Sequence, residues 1–226
     1  MKEQTLSRIE RCKIIAVIRS VKGERLVPMA QALQSGGIDC IEICFDPCGA
    51  QSEQDIAAQI SMLTEHFGDA LCVGAGTVSS VGQVSAASDA GAQFIVSPGT
   101  LPQVIAAAGE RGLVSVPGAF TPTEILTAHQ LGADIVKLFP ASFVGTEYLD
   151  QLRKPLGNIR LMANGGISVW NMRAFLDAGC AAVGIGKNLT GEVYKPVCDY
   201  GVLAETAAAY RAIADNDRRP VHRDLR

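Results

Sequence analysis

Short apolar, β-rich runs begin near Ile14, Asp39, Leu71, Ala92, Leu113, Asp134, Ile159 and Ala181, and each is followed by a stretch with helical periodicity. Eight such alternations close most simply into a (β/α)8 TIM barrel, with parallel strands inside and helices outside. An additional helix is expected over the opening residues, before the first strand. A doubly wound open sheet uses the same alternation. Its dinucleotide-binding form, however, carries Gly-x-Gly-x-x-Gly after the first strand, and this chain has no such run there; Gly74-Ala75-Gly76-Thr77 is too short a match. A chain of 226 residues suits one barrel domain over 1–226, since such barrels run to roughly 200–250 residues. From about residue 215 the sequence becomes polar and arginine-rich, which reads as a solvated tail.

Helix punctuation fixes part of the register. Thr121-Pro122-Thr123-Glu124 has the form of a capping box with proline at the first helical position, so the helix after the fifth strand is expected to start there. Ser168 is expected to cap the helix carrying Trp170 and Phe175, with Trp170 packed or partly exposed on it.

A net charge of -3 offers no cationic surface for nucleic acid or an anionic membrane, which leaves a small molecule as the expected partner. The opening residues lack a signal peptide's apolar core and no later run is long and uncharged enough to span a bilayer, so the expected compartment is the cytoplasm. Seven cysteines without a Cys-x-x-Cys pair fit reduced thiols better than a disulfide framework. Cys40, Cys44 and Cys48 recur every four residues, but the first two fall on a strand, which argues against a zinc site.

Strand alternation places the chemistry. In Ala133 to Pro140, Ile135, Lys137 and Phe139 share a face. A lysine in so apolar a strand can lose its proton and act as a nucleophile. The same rule sets Glu42 beside Cys40 and Cys44, and brings Arg19 to the end of the first strand on the face of Ile15 and Val17. Lysine, glutamate and arginine are thus expected to converge in the lumen, either as a structural ion network or as a catalytic group. In the second case Lys137 forms an iminium with a ketone while Glu42 moves protons, with no metal or cofactor needed. Asn164-Gly165-Gly166-Ile167-Ser168 after the seventh strand and Gly184-Ile185-Gly186-Lys187-Asn188 at the end of the eighth stand where barrels hold an anion through backbone N–H groups.

Ile15-Ala16-Val17-Ile18-Arg19, Gly37 to Ile43, Val73 to Val78, Ser97-Pro98-Gly99, Val116-Pro117-Gly118 and Val136 to Ala141 together resemble the KDPG/KHG aldolase family over nearly the whole barrel. The resemblance implies a class I aldolase that cleaves 2-keto-3-deoxy-6-phosphogluconate or a related 2-keto-4-hydroxy acid to pyruvate and an aldehyde, and a homotrimer. It makes Lys137 the Schiff-base lysine, Glu42 the proton-transferring glutamate, Thr77 a holder of the pyruvate carboxylate and Pro98 a wall of its pocket. Gly165 and Gly166 become donors to the substrate phosphate, with Gly186 at the end of the eighth strand.

Three positions depart from the family pattern. Asp46 stands where the gluconate-specific members carry arginine, and Arg19 is the expected substitute, as in the galactonate-type branch. Asn164 stands for threonine, and Lys187 for a phosphate-binding serine. Two other classes share parts of the pattern: a phosphate-binding barrel isomerase, epimerase or synthase would keep the anion loops, and a catalytically silent sugar-acid binding protein would keep the pocket.

Overall fold

The computed structural model describes residues 1–21 and 23–216. Its strands are β1 (Ile14–Ile18), β2 (Cys40–Cys44), β3 (Cys72–Gly76), β4 (Phe94–Val96), β5 (Val114–Val116), β6 (Gly118–Ala119), β7 (Val136–Leu138), β8 (Leu161–Asn164) and β9 (Ala182–Ile185). Each of the eight expected strands appears, starting at or within two residues of the expected point. The order β5-β4-β3-β2-β1-β9-β8-β7-β6 is parallel throughout. The ninth strand arises because the expected fifth is divided at Pro117. Proline has no N–H to give a ladder, so β5 pairs with β4 through Phe94↔Val114, and β6 pairs with β7 through Gly118↔Lys137. The Pro117 carbonyl still accepts from Lys137 N at 2.8 Å, and the two halves together close the barrel.

The outer layer comprises α2 (Gly23–Ser35), α3 (Glu53–Phe67), α4 (Val81–Asp89), α5 (Pro102–Glu110), α6 (Pro122–Gln130), α7 (Gly145–Leu156), α8 (Met172–Asp177), α9 (Lys187–Thr190) and α10 (Tyr200–Asp215). The capping box at α6 is formed as expected: Glu124 N donates to Thr121 Oγ1 at 3.3 Å and Thr121 N to Glu124 Oε2 at 2.8 Å. Ser168 behaves differently. Its Oγ accepts from Trp170 N at 3.3 Å, inside the turn, and α8 starts only at Met172. Trp170 is therefore outside the helix and 92% exposed. The hydroxyl is spent on a local turn two residues on, a use serine makes as readily as capping.

The expected N-terminal helix, α1 (Lys2–Cys12), lies under the barrel against β1, β2, β5 and β9. Leu6, Ile9 and Cys12 face the core, while its charges reach the residues that lead into the strands. Lys2 pairs with Asp134 at 3.0 Å, Arg8 with Asp39 at 2.8 Å and Glu10 with Arg160 at 2.6 Å. The N-terminal mouth of the barrel is thereby closed, and the C-terminal strand ends are left for a site. Of the polar tail expected from about 215, residues 217–226 lie outside the described residues.

Candidate active site

Lys137 and Glu42 are 6% and 1% exposed, and they meet across the lumen as strand alternation requires. Burial depresses the Lys137 amine below its ordinary value, because the ammonium loses hydration; Glu42 and Cys44 oppose this and Arg19 adds to it. Burial likewise raises the Glu42 carboxyl, with Lys137 the strongest opposing influence. Glu42 Oε1 accepts from Cys44 Sγ at 3.3 Å, whereas Oε2, fully enclosed, has no partner among the described residues. A buried carboxylate oxygen left unsatisfied is costly and demands an explanation. Lys137 Nζ stands 5.2 Å from the centroid of the Phe139 ring.

Gly76 makes room for the carboxylate: a Cβ there would lie 1.8 Å from Glu42 Oε1. The glycine-rich run of β3 thus serves the lumen and not a nucleotide. Gly118 has a similar origin, since its Cβ would meet the Pro98 carbonyl oxygen at 2.2 Å. Pro98 itself is exposed at the rim.

Arg19 Nη1 donates to Thr77 Oγ1 at 2.9 Å. Thr77 adopts φ 57° and Ser20 φ 51°, left-handed conformations that a β-branched residue rarely accepts and that concentrate at functional sites. Asp46, where the resemblance implied an arginine, is engaged within its own loop. Its carboxylate accepts the backbone N–H groups of Cys48 at 2.9 Å, Ala50 at 2.8 Å and Gln51 at 3.2 Å, which lowers its pKa and folds the loop after β2.

The two glycine loops are joined. Asn188 Nδ2 donates to the Ile167 carbonyl at 2.7 Å, and the Asn164 side chain lies over Gly184, where a Cβ would come within 2.6 Å of its Nδ2. Gly165 and Gly166 turn with φ 92° and 74°, conformations that glycine alone takes without strain. A cavity of about 380 Å³ lined by Val17, Arg19, Ser20, Gly186, Lys187 and Tyr194 connects this region to the first strand. Val17 is the register partner of Glu42. Lys187 is exposed, with Nζ 5.7 Å from the centroid of the Tyr194 ring. A larger open depression on the outside of α3, at Ala58, Ser61, Met62, Glu65 and His66, is on the wrong side of the wall to serve these groups.

Sequence reasoning missed Tyr194, which follows no recognisable spacing. It is held by its hydroxyl, which accepts from Arg19 N at 3.3 Å, and by Arg25, which bonds the carbonyls of Val193, Lys195 and Pro196 at 2.8, 2.6 and 2.8 Å. The structure therefore gathers Lys137, Glu42, Arg19 and Thr77 at the strand ends and sets Lys187, Gly186, Gly165, Gly166 and Asn164 on the adjoining loops.

The family model described as KDPG and KHG aldolase matches residues 6–197. The 2-dehydro-3-deoxy-6-phosphogalactonate aldolase of Escherichia coli is 35% identical over 87% of this chain and 92% of its own length. The 2-dehydro-3-deoxy-phosphogluconate aldolase of Treponema pallidum is 37% identical over 74% of this chain and 77% of its own. Among solved structures, the KDPG aldolase of Legionella pneumophila, with pyruvate captured as a covalent carbinolamine, superimposes with a TM-score of 0.82 at 26% identity, covering 92% of this chain and 98% of that one. The chain belongs to the KDPG and KHG aldolase family and is a class I aldolase, a carbon–carbon lyase.

Proposed function

We propose that the protein cleaves a phosphorylated 2-keto-3-deoxy sugar acid to pyruvate and a phosphorylated aldehyde, with Lys137 as nucleophile and Glu42 as proton carrier. The observation that carries this reading is the enclosed pair itself: an amine biased toward neutrality opposite a carboxylate with one oxygen unpartnered among the described residues. Cleavage of C3–C4 needs an electron sink at C2. The Lys137 amine adds to the C2 carbonyl, the carbinolamine loses water, and a protonated imine results. A base then takes the C4 hydroxyl proton, the C3–C4 electron pair moves into the imine as an enamine, and the C4 fragment leaves as aldehyde. Protonation at C3 and hydrolysis release pyruvate and restore the amine. Glu42 Oε2 is the group placed to take and return these protons.

Arg19 and Thr77 fix the keto-acid carboxylate, taking over the task of the arginine absent at 46, and Pro98 walls that end. Gly165, Gly166, Gly186, Asn164 and Lys187 receive the phosphate. The galactonate-type relative, similar over most of both chains, supports a substrate of that branch. We further place the enzyme in the cytoplasm, a reducing compartment suited to seven thiols, none of them in a disulfide. We also propose a homotrimer, to which Phe143 and Trp170, 86% and 92% exposed, would contribute apolar contact surface; sedimentation measures this directly.

The decisive test is trapping. Pyruvate with borohydride should attach a stable mass to Lys137, located by peptide mapping. A label on Lys187, or none, overturns the assignment. Lys137→Arg should abolish labelling, because a guanidinium stays protonated and does not attack a ketone.

A further inference from the structure

The other end of the barrel carries a cluster that aldol chemistry does not use. Cys12 closes α1, Asp39 directly precedes β2 and Cys40 opens it. Their ligand atoms, two sulfurs and a carboxylate oxygen, all lie within 4.8 Å of one another. We propose that Cys12, Asp39 and Cys40 form a structural site for a thiophilic divalent cation of the zinc type, which would pin α1 to the entrance of β2.

The donor set suits such an ion, since zinc takes thiolate and carboxylate ligands in a tetrahedral arrangement. Cys40 Sγ is 3.7 Å from Asp39 Oδ1, and Cys72, the register partner of Cys40 on β3, brings a further sulfur beside it. The carboxylate is already oriented: Arg8 Nε binds Asp39 Oδ2 at 2.8 Å, which turns the other oxygen toward the thiols. Outer partners of this kind are what hold metal ligands in place. Charge also balances, because two thiolates and a carboxylate around a dication leave one negative charge, and the Arg8 guanidinium offsets it. Cys12 and Cys40 are buried while Asp39 is 27% exposed along its side chain, so an ion would arrive past the carboxylate. Binding releases protons and must weaken as pH falls.

The reduced full-length protein, titrated anaerobically with Co²⁺, tests this through thiolate-to-cobalt charge-transfer absorption, with Zn²⁺ as competitor. One Co²⁺ per chain is expected, displaced by Zn²⁺. Cys12→Ser and Asp39→Asn should each weaken binding about 10- to 100-fold or more, with pyruvate release reporting that both remain folded. Cys48→Ser, removing an exposed thiol, should change nothing. The proposal fails if the wild type shows no charge-transfer band. It fails equally if the band survives Cys12→Ser and Asp39→Asn, if it is lost in Cys48→Ser, or if Cys12 and Cys40 are recovered as a disulfide from reducing conditions.

Discussion

Gly76 and Glu42 compete for one volume: a methyl group on Gly76 would stand 1.8 Å from Glu42 Oε1 and 2.5 Å from its Cδ. The neighbouring strands are paired at Cys44↔Gly76, so the backbone has little room to yield. Gly76→Ala is therefore expected to push the carboxylate from its place opposite Lys137. Overpacking of this size costs about 1–3 kcal/mol, and turnover should fall by about 10²-fold, as for loss of a general acid–base group. Glu42→Gln should show the same loss with less destabilisation. Thermal unfolding and kcat for the pair of variants check this; full activity in Gly76→Ala would mean that the proton is carried elsewhere.

The pH dependence of trapping has a definite sign. Lys137 is held below its ordinary 10.5 chiefly by desolvation, and the Glu42 charge opposes that shift. The amine must be neutral to attack, so the rate of borohydride trapping with pyruvate should rise with pH through a midpoint below 10.5. In Glu42→Gln the opposing negative charge is gone, and the midpoint should move lower still. A midpoint unchanged or raised by that substitution would show that the two groups do not sense each other.

The parts of this molecule readable in the sequence are those set by periodicity and local bonding. Period-two alternation put Lys137 and Glu42 on lumen faces, and the Thr121 box marked the start of α6 because its partners lie three residues apart. Ser168 shows the limit of that logic, since its hydroxyl had two local uses and no pattern chose between them. Close steric packing between strands was invisible. Nothing near Gly76 in the chain announces the Glu42 carboxylate, and Asp46 reads as a lost arginine until its bonds to the Cys48, Ala50 and Gln51 amides are seen. Tyr194 joins the site through Arg19, 175 residues away in sequence, and through its ring beside Lys187.

Arg19 and Asp46 should consequently separate in their effects. Arg19→Met is expected to raise KM for the keto acid about 10- to 100-fold, the loss of a charge-assisted contact worth roughly 1.5–3 kcal/mol, with a smaller effect on kcat. Asp46→Ala should leave KM unchanged and instead loosen the loop from 46 to 51, seen as faster proteolysis there. A KM increase in Asp46→Ala and none in Arg19→Met would reverse the assignment.

Chelators should leave wild-type turnover unchanged, because a protonated imine serves as the electron sink. A metal at Cys12 and Cys40 would register in thermal stability and not in pyruvate release. Inhibition by chelator that added metal reverses would contradict the mechanism.

Lys187 governs the last expectation, the choice of substrate tail. It lines the same cavity as Arg19 and Tyr194, and its ammonium rests 5.7 Å from the Tyr194 ring centroid, a contact that keeps a flexible side chain over the pocket at small cost. An anion held there gains a charge-assisted bond as well as the glycine amides nearby. Lys187→Ala should therefore raise KM about 10- to 100-fold for a phosphorylated 2-keto-3-deoxy sugar acid and leave its dephosphorylated form nearly unaffected. Tyr194→Leu should act in the same direction but more weakly, since it removes the ring and not the charge. A competing use exists for the same groups, because Asn164 and Lys187 also suit the terminal carboxylate of 4-hydroxy-2-oxoglutarate. Values of kcat/KM for the three compounds, with wild type and Lys187→Ala, separate the cases. A preference for the glutarate, or an equal loss on all three, would end the phosphate assignment while leaving the Lys137 chemistry intact.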